Sequence, residues 1–157
     1  HLKGLTRMGA SIELVHGAVH AQAGVLKGCR IYLDFPSVGA TENLMMAAVF
    51  ARGETILENT AREPEIFNLV DALRSMGAII EADGTGVIRI QGVEGLKSSS
   101  ANIIPDRVEA STYILAGAAT NGEVTVANII PNHIDSLLAK LEEAGAEARI
   151  QAAQCPQ

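Results

Sequence analysis

Apolar residues follow a helical spacing in two stretches of the chain. They recur at three- and four-residue intervals from Ile66 to Met76 and from Ile134 to Ala144, which predicts two amphipathic helices. Residues 40–51 are apolar nearly all round, and such a helix is expected inside, covered on every side. Alternating runs predict strands at Ser11–Val15, 18–21, 30–34, Glu54–Glu58, 78–82 and Val87–Gln91.

The pattern repeats along the chain. From Leu96 onward, a predicted helix at 107–120, a strand at 123–127 and a helix at 132–144 resume the earlier order. Gly9, Gly77 and Gly145 are equally spaced, and this spacing is the repeat period. It recurs, to within a single position, between Gly53 and Gly122 and between Asn59 and Asn128. A fixed period indicates one supersecondary unit used repeatedly, which we interpret as β-α-β-α-β-β.

The same register indicates a segment of a longer repeat protein. His1 and Met8 fall where Leu69 and Met76 fall one period later, so the first helix is expected to lack about one turn. Residues 151–157 lack the alternation of a second hairpin strand. Unpaired strand edges at both ends favour self-association.

Composition limits the classes of function. Of the 157 residues, 48% are apolar and 19% are charged, which is typical of a globular protein. The net charge of −6 disfavours nucleic acid or an anionic membrane as the main partner, because both require a basic surface. The chain has neither an apolar run of membrane-spanning length nor a signal-peptide pattern, so we expect a cytoplasmic protein.

Thiols and imidazoles offer little chemistry. Cys29 and Cys155 lack neighbouring histidines or basic clusters, and both are interpreted as ordinary thiols. His16, His20 and His133 lack metal-ligand spacing and are interpreted as surface residues. We expect neither a metal nor a cofactor.

Ser37, Val38 and Gly39 precede the apolar helix and form the candidate anion site. Serine is a preferred N-cap, and the first helical turn offers free N–H groups and the positive end of the helix dipole. Glycine allows a ligand to approach the backbone closely. Simple helix capping explains the same residues, so both interpretations stay open.

Five stretches resemble the UDP-N-acetylglucosamine 1-carboxyvinyltransferase family. They are H-L-K-G-L at 1–5, D-F-P-S-V-G-A-T-E-N at 34–43, E-N-T-A-R-E-P-E-I at 58–66, I-P-D-R-V-E-A at 104–110 and L-A-K-L-E-E-A-G-A at 138–146. The resemblance extends to about Ile150. Its A-R-E-P-E and P-D-R-x-E segments distinguish it from the sister family that makes 5-enolpyruvylshikimate 3-phosphate.

The resemblance implies an α/β fold of two domains, each an inside-out α/β barrel with helices buried and sheets outside. Residues 1–104 are then the later part of one domain. Residues 105–157 are the first, truncated repeat of the second, after a crossover at Pro105 and Asp106. The implied reaction transfers the enolpyruvyl group of phosphoenolpyruvate to the 3′-hydroxyl of UDP-N-acetylglucosamine with release of phosphate, which opens peptidoglycan synthesis.

The resemblance also implies site residues. Ser37, Val38 and Gly39 match the backbone segment that contacts the diphosphate of the nucleotide sugar. Phe35 stands beside the uracil where some members carry a lysine, and His1 ends an uracil-binding Arg-Pro-x-Asp-Leu-His segment. Less specific matches near the cleft and the crossover are Glu63, Asp106, Arg107 and Glu109, which helix-start electrostatics and a capping box explain equally well.

No catalytic residue is expected in this chain. The proton-donating cysteine of the family lies on a loop just before the matching segment, and neither Cys29 nor Cys155 corresponds to it. The fragment alone is therefore expected to be inactive. Two alternatives remain at this stage: a non-catalytic module that binds a UDP-sugar, and a purely structural repeat protein.

Overall fold

A computed structural model describes residues 1–151, which divide into two compact units. The first unit, His1–Ile103, contains three helices and six strands. Its elements in chain order are α1 (Leu2–Arg7), β1 (Ser11–Val15), β2 (Ala18–Gln22), β3 (Arg30–Tyr32), α2 (Val38–Val49), β4 (Glu54–Glu58), α3 (Pro64–Ser75), β5 (Ile79–Ala82) and β6 (Val87–Gln91). The second unit begins at Ile104 and contains α4 (Arg107–Ala119), a 3-10 turn (Pro131–His133) and α5 (Asp135–Glu143).

Four strands of the first unit form one mixed sheet in the order β3-β4-β6-β5. Strand β3 runs parallel to β4, whereas β6 pairs antiparallel with both β4 and β5. Strands β1 and β2 form a separate hairpin. Its two-residue turn has positive φ at His16 (50°) and Gly17 (83°), the backbone that favours a tight hairpin.

The core lies between the helices and one face of this sheet. Helix α2 packs on β4 and β6, on α1 and on α3. The sheet residues that face the helices are buried: Ile31, Thr55, Leu57, Ile80, Ile88 and Ile90. Their neighbours along each strand are exposed or half-buried on the other face. The first unit therefore packs its helices on one face of the sheet and leaves the other face exposed, and its α/β class is as predicted.

Ion pairs lie on the outer face of the sheet. Arg30 donates two hydrogen bonds to the Glu58 carboxylate, at 2.7 and 2.6 Å. The guanidinium holds the pKa of Glu58 below its ordinary value. Arg89 lies 3.8 Å from Glu54 on the same face. Both pairs join neighbouring strands and are open to solvent.

The three equally spaced glycines end three helices in the same way. Gly9, Gly77 and Gly145 have φ of 99°, 103° and 94°. At each one, the glycine N–H and the next N–H bond carbonyls of the last helical turn; Gly77 donates to Arg74 and Ala78 to Leu73, at 2.9 and 3.0 Å. This is the Schellman motif. The repeat inferred from the sequence is thus confirmed in the backbone.

Two predictions about the elements were wrong. Residues 123–127 form no strand within the described chain, because no described segment pairs with them and a ladder requires a partner. Helix α2 is not covered on every side: Met46 is 42% exposed, and Phe50, its C-cap residue, is 55% exposed. Within the described part of the chain, α1, α3 and the sheet pack on its other sides.

Other boundaries moved by a few positions. Helix α2 begins at Val38, slightly before the predicted start, and the helix expected at 132–144 is divided by Ile134 into the 3-10 turn and α5. The predictions that fall on residues 152–157, including Cys155, lie outside the described residues. No helix among the described residues is long and apolar enough to cross a membrane.

Candidate functional site

The candidate site is the N-terminus of α2. Ser37 is the N-cap, with extended backbone (φ −101°, ψ 122°), and its hydroxyl accepts a hydrogen bond from Ala40 N at 3.3 Å. The Val38 and Gly39 N–H groups lie in the first turn, where a helix supplies no intrahelical acceptor. They point out of the helix together with the positive end of its dipole.

Two polar side chains fix the segment that leads into this turn. Asn59 has a positive φ of 56° and donates from Nδ2 to the Leu33 carbonyl at 2.9 Å. Thr41 is fully buried; its hydroxyl donates to the Ser37 carbonyl at 2.8 Å and accepts from Ala61 N at 3.1 Å. The helix start is therefore tied both to the end of β3 and to the loop after β4.

Two side chains at the start of α1, those of the N-cap residue His1 and of Lys3, lie near the N-terminus of α2 and the segment that leads into it. The His1 ring lies beside Gly39: a Cβ built on Gly39 meets His1 Cε1 at 3.5 Å and Nε2 at 3.6 Å. Lys3 forms an ion pair with Asp34, which follows β3. Phe35 is next in the chain and is 69% exposed. The structure therefore gathers His1, Phe35 and Ser37–Gly39 at one end of the first unit.

This arrangement suits an anion better than it suits acid-base chemistry. It offers backbone N–H donors, one imidazole and a glycine whose missing side chain leaves the backbone accessible. The negative charge of Asp34 is balanced by Lys3. An exposed aromatic ring at Phe35 adds an apolar surface for a flat ligand group.

The remaining predicted residues occupy other helix starts. Glu63 is the N-cap residue of α3, and its carboxylate accepts from Arg62 N at 2.8 Å. Asp106 caps α4 by accepting from Val108 N and Glu109 N, at 2.8 and 3.0 Å. Asp106 and Arg107 also line a shallow recess of the second unit, together with His133. The capping role weighed for Asp106 is therefore present.

Cys29 has the environment of an unreactive thiol. Its Sγ donates to the Arg7 carbonyl at 3.5 Å, and the side chain packs against the core. Burial raises the pKa of this thiol, and the charge of Arg7 opposes the rise. A raised pKa lowers the thiolate fraction and hence the nucleophilicity at neutral pH. Among residues 1–151, no group of three or more His, Cys, Asp or Glu side chains is placed to hold a metal ion.

Comparison with known proteins identifies the family. The sequence model described as EPSP synthase (3-phosphoshikimate 1-carboxyvinyltransferase) matches residues 1–155. The chain belongs to the EPSP synthase family. Its α/β fold agrees with solved members: the enolpyruvyl transferase NikO from Streptomyces tendae superimposes with a TM-score of 0.65 at 29% identity, over 74% of this chain and 30% of that one.

Curated relatives of this EPSP synthase family member carry a narrower name. UDP-N-acetylglucosamine 1-carboxyvinyltransferase 2 of Carboxydothermus hydrogenoformans is 56% identical over 94% of the chain and 35% of its own length. UDP-N-acetylglucosamine 1-carboxyvinyltransferase of Halothermothrix orenii is 52% identical over 95% of the chain and 36% of its own length. The chain thus spans about a third of the relatives it matches. EPSP synthase from Acinetobacter baumannii, at 24% identity and a TM-score of 0.58, shows the shared fold.

Sequence reasoning missed the residues that support the site in this family member. Lys3, Asp34, Thr41 and Asn59 were not singled out for roles there, although each holds the α2 N-terminus or its entrance in place. Only Asn59 left a signal. Asn128 follows it by one repeat period and has nearly the same φ (54° against 56°), and asparagine is among the few residues that tolerate this conformation.

Proposed function

We propose that the chain is part of a UDP-N-acetylglucosamine 1-carboxyvinyltransferase. The support is identity of 52–56% to relatives of that name over about 94% of this chain. The proposed reaction transfers an enolpyruvyl group from phosphoenolpyruvate to the sugar 3′-hydroxyl, with release of inorganic phosphate. It supplies a precursor of peptidoglycan. Because these substrates are made in the cytoplasm, we assign the protein to that compartment.

The observation that carries the assignment of a site is the first turn of α2. We propose that the Ser37, Val38 and Gly39 backbone binds the diphosphate of the nucleotide sugar. The exposed ring of Phe35 then packs beside the uracil, and His1, next to Gly39, contributes a donor to the same end of the ligand. Glu63, Asp106, Arg107 and Glu109 are proposed to act near the cleft and crossover of the full enzyme.

The chemistry sets further requirements. The sugar hydroxyl gives its proton to a base and its oxygen adds to C2 of phosphoenolpyruvate while C3 gains a proton and becomes a methyl group; the tetrahedral intermediate then loses one C3 proton and phosphate, which restores the C2–C3 double bond. These steps need a proton donor, a base for the sugar hydroxyl and cations around the phosphate. The raised pKa of Cys29 makes it a poor donor or nucleophile. We therefore propose that the chain binds substrate but does not turn it over alone.

The division of the chain fits the same proposal. The first unit ends at Ile103, and we propose that residues 1–104 belong to one domain of the enzyme and residues 105–157 begin the other. Self-association through unpaired strand edges is part of this proposal. The assignment of the two domains and the self-association are independent of the proposed ligand site at α2.

Substitution of Gly39 tests the site. A Cβ at Gly39 meets only His1, at 3.5 Å, and its backbone does not have positive φ, so Gly39→Val is expected to fold. The added side chain covers the first-turn N–H groups and should weaken UDP-N-acetylglucosamine binding at least tenfold, or about 1.4 kcal/mol. Isothermal titration calorimetry measures the change.

Gly24→Val is the matched control, since Gly24 has open space around its Cβ position and lies away from α2 in sequence. It should leave affinity unchanged. Equal affinity in Gly39→Val and the control would contradict a diphosphate site at α2. Equal affinity would also favour the alternative, in which Ser37 only caps the helix of a structural repeat protein.

A non-catalytic module that binds a UDP-sugar is the second candidate function, favoured by a site built for binding and not for proton transfer. Phosphate release separates the two. Complementation of the chain with the remainder of a relative should restore release of phosphate if the enzyme assignment holds. Binding of the sugar nucleotide without restored turnover would support the module.

A further inference from the structure

Gly4 lies in the middle of helix α1 and is buried. Glycine is among the poorest residues inside a helix and alanine is the best, so local preference does not explain the glycine. One repeat period later the same helix position, in α3, is occupied by Ala72. The repeat therefore accepts a Cβ at this position, and the glycine in α1 has a cause outside the helix itself.

The cause is Leu44 of α2. A Cβ built on Gly4 would lie 2.5 Å from both Leu44 Cδ atoms and 3.1 Å from its Cγ. Ordinary contacts between carbon atoms are about 3.5–4.0 Å, so a Cβ at residue 4 requires a separation larger by about 1 Å. Leu44 is fully buried in the core, and a close-packed core offers little room for it to move aside. The missing Cβ therefore sets how closely α1 approaches α2.

The approach of α1 determines the position of two side chains at the candidate site. His1 is the N-cap residue, and its carbonyl accepts from Leu5 N at 3.0 Å, so His1 moves with the helix. Its ring lies beside Gly39, whose Cβ position is 3.5 Å from His1 Cε1. Lys3 pairs with Asp34 in the segment that leads into α2. An outward movement of α1 by about 1 Å would weaken both contacts.

We propose that Gly4 is a positioning residue of the candidate site. It acts through His1 and not through contact with the ligand, because its missing side chain holds α1 at the distance where His1 reaches Gly39. A binding site requires its donors within about 0.5 Å of the productive geometry, which is less than the shift that a Cβ at residue 4 imposes. The effect on binding rests on the diphosphate site proposed above. The placement of His1 is a property of the fold and is measured without ligand.

The proximity of His1 to Gly39 tests this placement in the ligand-free chain. The parent chain should show a nuclear Overhauser cross-peak between His1 Hε1 and the Gly39 Hα protons, because the ring carbon lies 3.5 Å from the Cβ position of Gly39. In Gly4→Ala the cross-peak should be several-fold weaker. Gly95→Ala is the control, since its added methyl group meets open space, and it should retain the full cross-peak. Equal cross-peaks in Gly4→Ala and the parent, or none in the parent, overturn the proposal.

A compensating variant tests whether Leu44 is the cause. Leu44→Ala removes the carbons that the new Cβ would meet, so Gly4→Ala should leave the cross-peak unchanged in a Leu44→Ala background. Such a double-mutant cycle isolates the coupling between two residues in contact. Where Gly4→Ala alone unfolds, the double variant should regain a dispersed amide spectrum. An equal loss of the cross-peak in both backgrounds overturns the role of Leu44.

Calorimetric titration with UDP-N-acetylglucosamine tests the consequence for binding. Gly4→Ala should weaken the affinity about fivefold, which corresponds to the free energy of one displaced hydrogen bond. In the Leu44→Ala background it should change the affinity by less than about twofold. Gly95→Ala should bind as tightly as the parent chain.

The outcomes separate this inference from the proposed function. Absence of binding by the parent chain contradicts the proposed function, and the cross-peak then still decides whether Gly4 positions His1. Binding by the parent that Gly4→Ala leaves unchanged contradicts the inference alone. A weaker affinity of Gly4→Ala with an unchanged cross-peak also overturns it, because the loss would then not act through His1.

Discussion

Helices α2 and α4 occupy the same place in the repeat but have opposite environments. Each begins at a capped residue, Ser37 or Asp106, and these lie one repeat period apart. Six residues of α2 are buried. Within α4, which the structure describes throughout, Ala110 is the single buried residue. The helix is therefore specified locally, whereas its burial depends on the elements packed against it.

The strands show the same contrast. Glu54–Glu58 forms β4 between β3 and β6, while residues 123–127 carry a similar alternation and form no strand in the described chain. A helix satisfies its backbone hydrogen bonds within itself, but a strand requires a neighbour. Helix formation in this repeat is therefore determined by the residues of the helix itself, whereas strand formation depends on a neighbouring strand.

Truncation of side chains at equivalent positions of α2 and α4 should give the largest difference in stability between the two helices. Leu44 is fully buried and Tyr113, one repeat period later, is 57% exposed. Leu44→Ala should lower the free energy of unfolding by about 2–5 kcal/mol. Tyr113→Ala should change it by less than about 0.5 kcal/mol. Urea denaturation followed by circular dichroism measures both; a comparable loss from Tyr113→Ala would contradict the description of α4 as unpacked.

Removal of the buried hydroxyl of Thr41 should lower the free energy of unfolding by a smaller amount, and the effect should be confined to the first unit. Thr41→Val removes the bonds to Ser37 O and from Ala61 N and leaves a buried N–H unpaired, which costs about 1–3 kcal/mol. The equivalent residue in α4 is Ala110, and Ala110→Ser serves as the control. Hydrogen exchange at Ala61 should accelerate in Thr41→Val only; unchanged exchange there would show that the hydroxyl is dispensable.

Local rules predicted the helices and their ends well for a physical reason. Apolar spacing, N-cap residues and the glycines that end α1, α3 and α5 act within a few residues of each element. The strand at 123–127 and the full burial of α2 depend on distant partners, so alternation in the first case and an apolar composition in the second gave the wrong result. At the candidate site, Ser37 and Gly39 followed from the same local rules. Lys3 and Thr41 act through contacts with Asp34 and Ala61, which lie far along the chain, and no local pattern records such contacts.

The outer-face ion pair should give the smallest effect. Arg30 lowers the pKa of Glu58, so this pair stabilises the fold above the unfolded-state pKa of a glutamate, and the contribution is lost as the pH falls through the folded-state pKa. Arg30→Gln should raise the Glu58 pKa toward its ordinary value and reduce this acid dependence. A side-chain carboxyl NMR titration measures it. An unchanged Glu58 pKa would contradict the assignment of the shift to Arg30.

We propose that the start of α2, and not that of α4, binds the diphosphate of a UDP-sugar. The most direct measurement is an amide NMR titration of the chain with UDP-N-acetylglucosamine, followed at Ser37, Val38 and Gly39 and at Val108 and Glu109. Saturable shifts are expected at the first group of amides and none at the second. Equal shifts at both helix starts would show general anion binding, and a well-dispersed spectrum without shifts would contradict the assigned site.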